Sequence, residues 1–341
     1  MHRSGRFALV LIAAVAIAAA GSHGVASWLK VKTRAAEPFD IGKPTGRPPA
    51  FLAASSVGGY GILWDQIAGE LDTEIKTWGI AGGSPVEFEQ FQKRVPEART
   101  TFIVVSTYDL DESLHCDFRA AIVPIGQTLQ SLQAGHADWK YSQTVLSQYP
   151  MTWLRTLFPT LGRSRGLMGA ALIKIKDLVR TSAGAAETQV GPAIKFGKGA
   201  ADDEYTRQKL SDWPPSTVIN KLVAMKVEFQ GAHSFNGPKT RALERMLQFA
   251  NQRGGRTIIV VMPISAPYTR EFVSPESVQE FEATLAEVRR DAPGTEFVRL
   301  DQVPGLGDDE NYCDLVHLNV AGQKLATEAL AARLRPPAPQ P

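Results

Sequence analysis

Two short runs limit what this chain can fold into. Thr101 to Val105 (TFIVV) and Thr257 to Met262 (TIIVVM) are almost wholly apolar and rich in β-branched residues. A strand with one wet face alternates apolar and polar residues, so a continuous apolar run needs cover on both faces. The segments around these runs carry helical stripes instead. Ile62, Leu63, Ile67 and Leu71 form one, and Leu243, Met246, Leu247 and Ala250 another; Pro275 to Arg290 continues the pattern. Buried strands alternating with amphipathic helices predict an α/β fold, with helices on both faces of a parallel sheet. Further strands are expected at Phe51–Ala54, Glu74–Trp78 and Phe297–Leu300, with helices at Pro85–Arg94 and Val320–Leu334.

The alternation lapses between residues 126 and 229. Helical patterns occupy Val145–Leu161 and Leu167–Val179. A small-residue run covers Thr181–Gly191, and a polar run lies near Lys198–Tyr205. This stretch is expected to be a helical insertion between the third and fourth strands. Its aromatic residues Trp139, Tyr141, Tyr149, Trp153 and Phe158 read as core or interface, with stacking on sugars as the other use.

The ends differ from the body. Arg3 and Arg6 precede an apolar run from Phe7 to Ala20, so residues 1–29 read as a signal peptide or an N-terminal membrane anchor. Four prolines and two glycines between Glu37 and Pro49 make residues 30–50 a linker. Residues 51–335 then form the main domain, and 336–341 a proline-rich tail. The expected location is extracytoplasmic, either anchored at the inner membrane or secreted after cleavage. A net charge of +2, from 37 basic and 35 acidic residues, gives no support for binding a phosphate backbone, so nucleic acid is excluded as a partner.

In parallel α/β sheets, ligands sit at the carboxyl ends of the strands. The first strand runs into Ser55-Ser56 at a glycine-rich turn, the second into Gly79-Ile-Ala-Gly82, and the third into Ser106-Thr-Tyr108-Asp109. After the last strand come Cys313, Asp314, His317 and Asn319. A serine hydroxyl needs a base to become a nucleophile. A histidine serves near neutral pH, and an aspartate holds its tautomer. The N–H groups of Ser56 and Gly82 suit an oxyanion hole. His115, His136 and His233 read as surface or structural residues. No His/Cys/Asp cluster has metal spacing, and no cofactor is expected.

These blocks resemble those of SGNH (GDSL-type) hydrolases: Ala54-Ser55-Ser56-Val57, Gly79-Ile-Ala-Gly82, Tyr108-Asp109 and Asp314-Leu-Val-His317. Asp314-Leu-Val-His317-Leu-Asn319 with Gly322 is similar to the closing motif of the exported branch that O-acetylates polysaccharides such as alginate. The resemblance covers Phe51–Val105 and Thr257–Leu334. It implies a flavodoxin-like three-layer α/β/α sandwich and a catalytic set of Ser56, Asp314 and His317. It implies Gly82 as an oxyanion donor beside Ser56, with Tyr108 where the family has an asparagine. The implied chemistry is acyl-ester cleavage or O-acetyl transfer on a carbohydrate polymer, beside the inner membrane and other exopolysaccharide biosynthesis proteins. Two positions depart from the family. Ala54-Ser55 replaces Gly-Asp before the nucleophile, which keeps Ser55 as an alternative nucleophile. An ionised Asp109 would repel an oxyanion. A Cys116–Cys313 disulfide pinning the catalytic loop is a further expectation.

Overall fold

The computed structural model describes residues 3–28, 38–78, 82–114, 122–133, 139–158, 204–226, 229 and 233–335. The chain divides into two compact units. One combines Met1–Ala35 with Ser142–Gly191, and the other combines Ala36–Tyr141 with Pro192–Pro341. The first contains helix α1 (Arg3–Trp28). Among the described residues, no helix is long and apolar enough to cross a membrane.

The second unit is built on six strands: β1 (Pro38–Ile41), β2 (Ala50–Ala53), β3 (Ile75–Trp78), β4 (Thr100–Val105), β5 (Arg256–Val261) and β6 (Glu296–Arg299). Their spatial order is β1-β3-β2-β4-β5-β6. Every pairing is parallel except that of β1 with β3. Counted along the chain, the five parallel strands take the order 2-1-3-4-5, the doubly wound order of flavodoxin-like folds. The direction of winding reverses between β2 and β4, and that is where such folds open a crevice.

The helices follow in chain order. They are α2 (Ser56–Gly61), α3 (Trp64–Glu70), α4 (Pro85–Gln92), α5 (Thr107–Leu110), α6 (Ile125–Gln133), α7 (Trp139–Leu157), α8 (Glu204–Arg207), α9 (Pro215–Lys226), α10 (Pro238–Asn251), α11 (Ala266–Phe272), α12 (Pro275–Asp291) and α13 (Val320–Leu334). The period-2 alternation of the strands sorts their side chains into two cores. Leu52, Phe102, Val104, Ile258 and Val260 pack with α3 and α13 through Trp64, Ile67, Leu330 and Leu334. Phe51, Ile103, Val105, Ile259 and Val261 pack with α4, α10 and α12 through Phe91, Leu247 and Leu285. Both faces of the sheet are therefore covered, as the continuous apolar runs require. Each fully buried Leu, Ile or Phe side chain contributes about 1.5–3 kcal/mol relative to exposure.

Two local expectations are corrected. The linker assigned to 30–50 contains β1 and the start of β2; Ile41 is fully buried, and β1 closes the sheet edge against β3. The stripe from Ile62 to Leu71 is not one helix: Ile62 and Leu63 lie between α2 and α3, Ile67 is on α3, and Leu71 is the C-cap of α3. Ile62 (φ −132°) and Leu63 (φ −79°, ψ 79°) leave helical geometry and break the run. In the stretch 126–229 the described elements are helical: most of α6, α7, α8 and α9. The patterns at 167–179 and 181–191 lie outside the described residues.

Candidate active site

β2 ends at Ala53, and the chain turns at once into α2. Ser55 caps this helix: its Oγ accepts the N–H of Val57 at 3.1 Å. Ser56 is therefore the first helical residue. The turn sits tight on the sheet, since a Cβ added at Gly58 would lie 2.3 Å from Val104 Cγ1. Glycine permits this close approach, which lays the nucleophile turn over β4. The Trp64 indole donates to Gly58 O at 3.0 Å and fixes the turn from its far side.

The other half of the site is a loop held by its own backbone. An isolated bridge pairs Tyr312 with Leu318, and the Cys313 N–H donates to His317 O at 2.9 Å. Asp314 Oδ1 accepts the N–H groups of Val316 (2.8 Å) and His317 (2.7 Å). That leaves Oδ2 for the imidazole, 2.8 Å from Nδ1. Ser265, the N-cap of α11 in the segment after β5, donates its hydroxyl to Leu315 O at 2.7 Å. Asn319 closes the loop. Its Oδ1 caps α13 by accepting from Ala321 and Gly322, while its Nδ2 donates to Glu310 O at 2.6 Å.

The two halves meet at a serine. His317 Nε2 lies 3.0 Å from Ser56 Oγ, although the residues are 261 positions apart. With Nδ1–H donated to Asp314, Nε2 carries the lone pair that can accept the Ser56 proton. The Tyr60 ring meets the imidazole edge-on at 6.3 Å, and burial raises the Tyr60 pKa, so its phenol stays neutral. Ser55, the alternative nucleophile, is buried and committed to the helix cap.

Of the remaining candidate residues, Tyr108 shares a cavity lining with Asp314. Gly82 sits in the turn between β3 and α4, at a left-handed φ of +64° that glycine adopts without strain. Tyr108 lies on α5, its ring edge-to-face with Tyr268 at 5.9 Å. It lines a cavity of about 280 Å³ together with Trp213, Lys221, Met225, Asp314 and Val316. Asp109 is turned inward and buried. Burial pushes its pKa up, and the Ser106 and Ser55 hydroxyls, Lys239 and His317 offset only part of that rise. Burial disfavours the charged form of such a carboxyl. Cys313 is buried with its Sγ 3.4 Å from His317 O, while Cys116, its expected partner, lies outside the described residues. So do His115 and His136.

One pair was not legible in the sequence. His233 Nδ1 lies 2.5 Å from Asp111 Oδ2, joining residues 122 positions apart. Asp111 also accepts the N–H and hydroxyl of Ser113. The pair ties the loop before α10 to the segment after α5. No group of three or more His, Cys, Asp or Glu side chains among the described residues could hold a metal ion.

Fold and site together define a doubly wound α/β protein with a Ser–His–Asp relay at its switch-point crevice. No family model matches the chain, and no curated protein matches it. Among solved structures, the chain has a distant likeness to one from a study of carboxylesterases of the ammonia-oxidizing thaumarchaeon Nitrososphaera gargenis. That match has 10% sequence identity and a TM-score of 0.25, over 80% of this chain and 87% of that one. A likeness this weak assigns nothing to the chain.

Proposed function

We propose that the chain is a serine-dependent acyl-ester hydrolase or O-acyltransferase of SGNH type. Its substrate is an acylated carbohydrate polymer outside the cytoplasm. The observation that carries the chemistry is the continuous relay from Ser56 Oγ through His317 to Asp314, with links of 3.0 and 2.8 Å.

In this reading Ser56 Oγ attacks the ester carbonyl while His317 Nε2 takes its proton. Asp314 stabilises the imidazolium that forms. The oxyanion is received by the Ser56 and Gly82 N–H groups, with the Tyr108 hydroxyl as third donor. Collapse expels the sugar oxygen, which takes its proton from His317 and leaves acyl-Ser56. Water attacking that intermediate gives hydrolysis, and a second sugar hydroxyl gives transfer. The carbohydrate substrate, the exopolysaccharide partners and the inner-membrane location rest on the motif resemblance and on the apolar segment after Arg3 and Arg6.

The test is hydrolysis of p-nitrophenyl acetate by wild type beside Ser56→Ala. Loss of the rate in the variant is expected; equal rates refute the nucleophile. A second reading is a non-catalytic carbohydrate-binding protein on the same fold. It is favoured by one observation, that tyrosine stands at 108 where the motif resemblance expects asparagine. Covalent labelling of Ser56 by a fluorophosphonate probe decides between the two.

A further inference from the structure

Building on the acyl-serine reading of the site, we propose that the cavity beside Asp314 is an acyl pocket, and that the acyl group it takes is a hydrocarbon chain of several carbons rather than acetyl. Tyr108, on α5 after β4, forms one wall, and the loop from Asp314 to Val316, after β6, forms another. Trp213 and α9 supply the rest. The cavity therefore lies at the carboxyl edge of the sheet, where ligands of such folds sit. Only the His317 imidazole stands between the Asp314 carboxylate and Ser56 Oγ, with links of 2.8 and 3.0 Å. The pocket thus begins one ring away from the reacting atom. An acetyl group has a single carbon beyond its carbonyl and does not span that ring, whereas a longer chain does.

The lining fits a chain better than a sugar. Trp213, Ala224, Met225, Leu315 and Val316 are apolar, and Tyr108 adds its ring. Two charged residues complete the wall. Asp314 is engaged at both oxygens, Oδ1 by the N–H groups of Val316 and His317 and Oδ2 by the imidazole. Lys221 is exposed, and a lysine stem covers apolar surface while its ammonium stays in water. A pyranose ring would bring several hydroxyls into this cavity, and a buried hydroxyl without a partner is costly. A hydrocarbon chain needs no partner and gains by leaving water. The volume is about 280 Å³. An apolar cavity of about 150 Å³ holds a benzene-sized group, so this one admits a chain of up to about ten carbons. In the reaction, Ser56 Oγ forms the new ester bond and the alcohol leaves with the proton held by His317. The chain stays in the pocket until water or a second hydroxyl takes the acyl group.

The experiment measures kcat/KM of the full-length protein on p-nitrophenyl acetate, butyrate, hexanoate and octanoate. These esters share one leaving group and differ only in the acyl chain. Wild type is compared with Ser56→Ala, Ala224→Trp and Ile219→Ala. Ala224 lines the cavity from an exposed position on α9, a helix with no buried residue, so tryptophan there fills the cavity without entering the core. Ile219, on the same helix, is 58% exposed and lies outside the lining. Wild-type kcat/KM is expected to rise from acetate to hexanoate, by about fourfold for each methylene the pocket buries. Ala224→Trp should lower the hexanoate-to-acetate ratio by about tenfold or more, and Ile219→Ala should keep that ratio. A wild-type series that is flat or fastest on acetate overturns the proposal, with no variant needed. A fall of the same factor on all four esters in Ala224→Trp also overturns it, since the cavity would then serve the alcohol side. In both cases rates that vanish in Ser56→Ala leave the acyl-serine reading standing. Rates that Ser56→Ala leaves intact on every ester refute that reading, and the pocket assignment falls with it.

Discussion

Asn319 holds the catalytic loop, and its removal should cost more than an ordinary helix cap. The side chain is 3% exposed. Its Oδ1 accepts two N–H groups at the start of α13, from Ala321 at 3.0 Å and Gly322 at 3.1 Å. Its Nδ2 donates to Glu310 O at 2.6 Å, with Tyr312 O and Gln208 O near at 3.4 and 3.3 Å. Asn319→Ala removes the cap, worth about 1 kcal/mol. It also removes the hydrogen bond from Nδ2 to the Glu310 carbonyl across the loop, worth about 1 kcal/mol. The sum is about 2 kcal/mol, or roughly a 30-fold smaller folding constant at ~1.4 kcal/mol per factor of ten. Asn319→Ser separates the two parts, since serine caps the helix but cannot reach across the loop, so its expected loss is about 1 kcal/mol. Urea unfolding followed by far-UV circular dichroism measures both. An alanine variant within about 1 kcal/mol of wild type would show that the cap acts alone. A serine variant as unstable as alanine would show that the cap contributes nothing. Glu310 lies on the segment that leads into Asp314 and His317, so kcat should fall in the same order as stability.

Three further outcomes are expected from the geometry. Asp314→Asn should lower kcat by roughly 10⁴-fold while KM holds, because the amide N–H₂ forces Nδ1 to accept and turns Nε2–H toward Ser56; steady-state kinetics on p-nitrophenyl acetate check it. Gly58→Ala should destabilise by about 1–3 kcal/mol in urea unfolding, because its Cβ would press on the branched Val104 side chain at 2.3 Å and lift the nucleophile turn from the sheet. Glu89 is pushed up by burial but held below the usual carboxylate range by Arg245 and Lys93. Its stabilisation is present above the unfolded pKa of about 4.3 and lost as pH falls through the lower folded value. Glu89→Gln should therefore flatten the acid limb of stability against pH, and an unchanged limb would refute the pairing.

The parts of this molecule that were legible in its sequence are those where local pattern and tertiary demand coincide. TFIVV and TIIVVM can be satisfied only by burial on both faces, and β4 and β5 lie paired in the interior of the sheet. Ser56 and the 314–317 segment were legible because a parallel sheet gathers its strand ends on one edge, and both segments come after a strand. Edge strand β1 was hidden because proline and glycine dominate its surroundings. Its one signal is the alternation of Phe39 and Ile41 about the exposed Asp40. The break after α2 was hidden because Ile62 and Leu63 continue the apolar stripe while the preceding Gly58, Gly59 and Gly61 let the backbone leave the helix.

Asp109 is the instructive failure. Read along the chain it is a charged residue beside an oxyanion hole, which argues against catalysis. In the fold its carboxyl is buried, with Oδ2 2.6 Å from the Ser106 hydroxyl, and burial raises its pKa. Charge is a property of an environment, and for a carboxyl that environment is set by the sheet register, which no local pattern encodes.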